Sequence, residues 1–187
     1  ETVKQLRPWV KKKKAWAQSL MGQKYKDGEG VNQSYEMAKR LFEQAAVQGD
    51  LYAMTDLGVM YEHGRGVEVS YEKAVQYYEQ AAHLGHAAAQ FNLGLMYDRG
   101  KGVTQSYARA KDYYESAAEQ GLAKAMGCLA CLYANGQGVE RDLTKARELW
   151  TNAAEQGHEN AIKYLQQLDD MERKDAALDP NIIVCSA

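Results

Sequence analysis

Three groups of residues in this chain have the types and spacing of chemical sites. Gly64-Arg65-Gly66 sets a basic residue between two glycines, where bare backbone amides beside a helix could cradle a phosphate. Cys128 and Cys131 form a CxxC pair, the spacing of redox dithiols and of half a zinc site. The histidines His63, His83, His86 and His158 add candidate bases and metal ligands.

Each group falls short of a complete site. Gly64-Arg65-Gly66 runs on into Val67, Glu68 and Val69, so the third glycine of a dinucleotide fingerprint is missing, and no Gly-Lys-Ser/Thr follows. The cysteine pair has no βαβ pattern around it, and one CxxC supplies too few ligands for zinc. His83 and His86 stand i, i+3 at a helix end without an evident third ligand. Nucleophile elbows, HExxH motifs and EF-hand loops do not occur. The abundant acidic residues belong mostly to expected solvated helix faces. We read the chain as a non-enzyme that needs no cofactor and holds no metal.

The glycines have another explanation. "LGVMYEHGRGV" at 57–67 returns as "LGLMYDRGKGV" at 93–103 and "LACLYANGQGV" at 129–139, with a worn copy, "MGQKYKDGEGV", at 21–31. Every step is 36 residues. Ala17, Ala53, Ala89, Ala125 and Ala161 keep the step, as do Tyr25, Tyr61, Tyr97 and Tyr133. So do Phe42, Tyr78, Tyr114 and Trp150, and the paired alanines that precede Gly49, Gly85, Gly121 and Gly157. A phosphate loop is needed once, whereas a structural corner is needed in every repeat, and a fixed gapless period of this length marks a solenoid.

Within one unit, Ala53, Leu57, Gly58 and Tyr61 occupy one face of a first helix. Gly58 permits close approach of a neighbour, Gly64 and Gly66 end the helix, and Val67 plugs the corner. Ser70 is placed to cap a second helix, with Glu72 in its first turn. Ser34, Ser106 and Asp142 hold the equivalent cap position. Ala74, Tyr77, Tyr78, Ala81 and Ala82 form that helix's apolar stripe. The expected architecture is all-α, a right-handed α-solenoid of helix–turn–helix pairs with a 36-residue period. The segments are an N-terminal cap (1–16), four repeats (17–52, 53–88, 89–124 and 125–160), and a C-terminal capping helix and tail (161–187).

The string A-x3-L-G-x2-Y-x2-G-x-G-V, followed by Ala, an aromatic and Ala-Ala-x2-Gly, resembles the Sel-one-like repeat, which groups with the tetratricopeptide-like α-solenoids. Met21 for Leu and Ala130 for Gly depart from that pattern with little change in size. The resemblance implies a binding groove lined by first helices. Carried over by register, its positions are Ser19, Gln23, Lys26 and Asp27; Thr55, Val59, Glu62 and His63; Phe91, Leu95, Asp98 and Arg99; and Gly127, Cys131, Ala134 and Asn135. A strip of Val59, Phe91, Leu95 and Cys131 rimmed by Lys26, Glu62, His63, Asp98 and Arg99 would suit an amphipathic helix or an extended peptide of mixed charge. Secreted relatives often bridge the helices of each repeat with a cysteine pair. Repeats one to three contain no cysteine, so an intracellular, cytoplasmic setting is expected.

The 187 residues carry a net charge of −2 and 45% hydrophobic residues, a balance that does not call for nucleic acid. No apolar run approaches the ~18 residues of a membrane span. Neither a nucleic acid nor a membrane is therefore expected as a partner. At the N-terminus, "RPWVKKKKAW" is read as one capping helix begun at Pro8, with Trp9 and Trp16 on one face over the open end of repeat one. Lys11 to Lys14 spread around it, solvated or in contact with an acidic partner. At the far end, Cys185 would open a zinc knuckle if the native chain supplied another cysteine, as in relatives with RING-like or MYND-like fingers. The leading expectation is a protein-interaction scaffold or adaptor, and the alternative is the repeat part of such a zinc-finger or ubiquitin-ligase adaptor.

Overall fold

A computed structural model describes residues 1–173, and the regular structure among them is helical throughout. In chain order the helices are α1 (Val3–Lys11), α2 (Ala15–Asp27), α3 (Tyr35–Ala46), α4 (Leu51–His63) and α5 (Tyr71–His83). They continue as α6 (Ala87–Arg99), α7 (Tyr107–Glu119), α8 (Ala123–Asn135), α9 (Leu143–Glu155) and α10 (Glu159–Arg173).

The corner within each repeat follows from backbone geometry. Gly64 ends α4 at φ 69° and donates its N–H to Met60 O, a left-handed conformation that costs glycine little. The chain then turns so that Ser70 N–H donates to Tyr61 O at 2.9 Å. The same bond joins Ser34 to Tyr25, Ser106 to Tyr97 and Asp142 to Tyr133, each also at 2.9 Å. The second helix starts at that residue. Ser70 Oγ accepts from Lys73 N–H at 3.3 Å and Asp142 Oδ1 accepts from Lys145 N–H at 2.8 Å, and such caps are worth about 1 kcal/mol each.

Packing inside a repeat depends on the Leu-Gly step. A Cβ built on Gly58 would lie 2.4 Å from Tyr78 Cε1, closer than any real contact, so α5 seats its tyrosine directly on the α4 backbone. Phe42, Tyr78, Tyr114 and Trp150 are all fully buried. Burying a side chain of that size contributes about 1.5–3 kcal/mol, more than the few tenths by which one residue's helix propensity shifts the balance. Ala38, Ala74, Ala110 and Ala146 are buried on the same helices.

The chain forms two compact units, residues 1–89 with 101–103, and residues 90–100 with 104 onward. The first begins differently from the sequence expectation. Its opening helix starts at Val3 rather than Pro8, because Thr2 caps it and Gln5 completes a reciprocal capping box. Pro8 therefore lies inside α1. Trp9 and Trp16 do not share a helix, since residues 12–14 form a turn between α1 and α2 in which Lys13 takes φ 54°. Leu6, buried with Ala17, Met21 and Leu41, covers the end of repeat one instead. In the second unit, Ala161, Tyr164 and Leu168 of α10 are buried, and the Tyr164 ring lies 5.4 Å from that of Trp150.

Candidate partner-binding faces of the first helices

In the first unit the register positions lie on α2 and α4. Lys26 is engaged by its own chain: its ammonium sits 2.8 Å from Asp56 Oδ1, with both side chains mostly covered. Thr55 is buried and donates its hydroxyl to Leu51 O at 2.8 Å, while His86 Nδ1 lies 2.8 Å from Thr55 Oγ1. With the hydroxyl proton committed to Leu51, the imidazole is the donor. Val59 is half-buried and His63 exposed. Glu62 is half-buried and accepts the Tyr78 hydroxyl at 2.9 Å.

The second unit repeats part of this arrangement on α6 and α8. Phe91 and Leu95 are half-buried, and the Phe91 ring leans on Tyr114 at 6.0 Å. Asp98 Oδ2 accepts the Tyr114 hydroxyl at 3.0 Å. Burial holds the Asp98 carboxyl above the usual carboxylate range, against the Tyr114 bond and the nearby Arg99 charge. Arg99 is exposed, Asn135 half-buried and Cys131 buried. The CxxC does not close on itself, since Cys128 is a free thiol. Burial first, then the Asp98 charge, pushes the Cys128 thiol up to about 12, so it is not a thiolate nucleophile at neutral pH.

The remaining chemical candidates take structural roles. Gly64 and Gly66 both hold positive φ at the corner, and a Cβ on Gly66 would meet Tyr35 Cβ at 2.4 Å, so the start of α3 packs directly on this glycine. Among the described residues no three His, Cys, Asp or Glu side chains are grouped to hold a metal ion. The Cys185 candidate lies outside the described residues. His86 packs edge-on against Tyr52 at 4.8 Å, and burial lowers its pKa. His158 accepts from Ala161 N–H at 3.3 Å at the start of α10, and its ring lies 3.1 Å from where a Gly127 Cβ would be.

Sequence reasoning overlooked the tyrosine hydroxyls that hold Glu62 and Asp98, although the register carried a signal. Where the second-helix aromatic is Tyr78 or Tyr114, the first helix has an acid. The repeat with Phe42 has Lys26 at that position, and the repeat with Trp150 has Ala134.

The Sel1 repeat family model matches residues 17–50, 51–86, 87–122 and 123–158. The chain belongs to the Sel1 repeat family. Members of this family are generally protein-interaction scaffolds and typically non-catalytic. Among solved structures, a Sel1 repeat protein from Oxalobacter formigenes is 33% identical with a TM-score of 0.86, over 93% of this chain and 71% of that one. A protective antigen of uropathogenic Escherichia coli that displays an SLR fold, c5321, is 29% identical with a TM-score of 0.71. That match covers 94% of this chain but only 45% of the antigen. Cysteine rich protein B of Helicobacter pylori is 26% identical with a TM-score of 0.56, over 68% of this chain and 98% of that one. No curated protein matches the chain. These likenesses give the Sel1 repeat chain its class, an all-helical solenoid of the tetratricopeptide-like kind. No described helix is long and apolar enough to cross a membrane.

Proposed function

We propose that this Sel1 repeat protein is a non-catalytic scaffold that holds a peptide or protein partner against the open faces of its first helices. The observation that carries the reading is the half-buried Phe91 on α6, with Leu95 one turn on and Asp98 and Arg99 beyond. An aromatic left partly open beside an apolar neighbour and a polar rim is the composition of an interface anchor. The residues do not contribute alike. Val59, Glu62, His63, Phe91, Leu95, Asp98, Arg99 and Asn135 retain exposure for direct contact, whereas buried Thr55 and Cys131 shape the faces from beneath. Lys26 is bound to Asp56 and offers its partner a neutralised pair.

A non-catalytic reading accords with the chemistry of the titratable groups. The half-buried Asp98 is tied to a tyrosine, and the thiol of Cys128 is held protonated at neutral pH. Partner capture by the purified protein, compared with a Phe91→Ala/Arg99→Glu variant, tests the reading. Capture should fall at least about tenfold, the effect of losing one central anchor. Glu72→Lys with Asp112→Lys, on the exposed sides of α5 and α7, should leave it unchanged. Loss only in the second pair would place binding on the second helices and refute the reading.

A further inference from the structure

The break between α1 and α2 gathers charge and aromatic surface that the partner-binding faces do not use. Lys11, Lys12, Lys13 and Lys14 are all exposed, as is Arg7. None of these five enters an ion pair among the described residues. Trp9 and Trp16 flank them, 42% and 44% exposed, with their rings 5.9 Å apart. The Lys12 ammonium stands 5.1 Å from the centre of the Trp9 ring. The apolar side of α1, with Leu6 buried and Val3 and Val10 packed beside it, is already spent on α2. What remains outward is two indoles among lysines.

The charge is also unevenly distributed along the chain. Residues 1–16 hold six basic side chains and one acidic one, whereas the rest of the chain holds 17 basic and 24 acidic. The basic corner would therefore be drawn to an anionic surface that repels the remainder, fixing which side approaches.

We propose that this corner of the first unit docks on an anionic lipid surface, with the lysines facing the headgroups and Trp9 and Trp16 entering the interfacial layer. Indole rings favour that layer because they pair an apolar body with one polar N–H. Clustered lysines beside such rings add attraction to anionic headgroups, each by a similar increment. Nucleic acid fits the corner less well, because Lys12 and Trp16 already occupy the surroundings of the Trp9 ring that a stacking base would need. An acidic peptide fits less well because lysine is a hydrated point charge without the fork that grips single carboxylates, and only Arg7 offers that fork here. The absence of a spanning helix does not bear on this contact, which needs only a surface.

The test is co-sedimentation of the full chain with phosphatidylcholine vesicles containing about one-third phosphatidylglycerol, against pure phosphatidylcholine vesicles. Tryptophan emission is read in parallel, because the third tryptophan, Trp150, is fully buried and shielded from the lipid. The expected result is roughly tenfold more protein on the anionic vesicles, reversed by high salt, with emission moving to shorter wavelength. Lys11→Glu/Lys12→Glu/Lys14→Glu should lose the binding while keeping the wild-type melting curve. Lys13 is left in place because of its positive φ. Trp9→Ala/Trp16→Ala should abolish the emission shift and weaken sedimentation. Equal binding to neutral vesicles, or wild-type binding by the triple variant, would overturn the proposal. So would capture by a poly-glutamate peptide or oligo-dT with none on anionic vesicles, which would reassign the corner to a macromolecular polyanion.

Discussion

The hydroxyl of Tyr114 donates to Asp98 Oδ2 at 3.0 Å, and one repeat earlier Tyr78 makes the same bond to Glu62 at 2.9 Å. In each case a fully buried tyrosine on a second helix reaches through the repeat to hold an acid on its first helix. The bond joins core and surface: the ring fills the space above the Leu-Gly step, and its hydroxyl orients a carboxylate at the edge of the candidate binding face.

Tyr114→Phe removes the donor and leaves the ring. Asp98 then loses one of the two influences that lower its pKa, so the value should rise further above the usual carboxylate range. A carboxyl raised in the folded state gives stability that increases as pH falls through its folded pKa. The variant should therefore be destabilised most at neutral pH, by about 1–2 kcal/mol for a bond to a charged but half-open group, and less in acid. NMR titration of Asp98 with denaturation at two pH values checks both parts. An unchanged Asp98 titration would show that the bond is absent in solution.

Gly58→Ala should destabilise through overpacking. Its Cβ would meet Tyr78 Cε1 at 2.4 Å and Cδ1 at 2.6 Å, and the hydroxyl bond to Glu62 keeps that ring from swinging aside. The expected cost is about 1–3 kcal/mol. In a Tyr78→Ala background the same substitution should cost distinctly less, since its clash is gone. Equal costs in both backgrounds, from chemical denaturation, would mean that the close approach is not what requires the glycine.

How much of this was legible beforehand differs by feature. The repeat step and the caps at Ser34, Ser70, Ser106 and Asp142 were readable, because each is a local backbone requirement met by a particular residue type. Leu-Gly as a close-contact step was readable for the same reason. The N-terminal segment was misread because a proline looks like a helix start, whereas the weaker-looking Thr2 and Gln5 make two reciprocal bonds. Nothing local revealed that Lys13 would take a left-handed turn and part the two tryptophans. Register does not give the depth of a candidate residue, which depends on neighbours distant in the chain, as buried Thr55 beside His86 shows.

His86 should make stability fall on acidification. Burial depresses its pKa, outweighing the charges of Asp50 and Asp56, which act the other way. The unfolded chain thus takes up the proton first, and stability present above the ordinary histidine pKa is lost as pH drops toward the folded value. His158 is shifted in the same direction, by burial and then by Lys124. His86→Leu copies Leu122, which stands at the equivalent position one repeat on, and leaves Thr55 its bond to Leu51 O. Its melting temperature should decline less than that of the wild type between about pH 7 and about pH 5. Parallel declines would remove His86 from the account.

Site-specific photocrosslinking is the most direct test of the central claim that the first helices hold the partner. A photoreactive phenylalanine analogue is placed at Leu95 on α6 in one sample, and at Glu72 on α5 or Asp112 on α7 in the others, all in otherwise wild-type protein. The expected result is a partner adduct from position 95 that disappears in a Phe91→Ala background, with none from positions 72 and 112. Adducts from 72 or 112 with none from 95 would contradict the account and assign binding to the second helices.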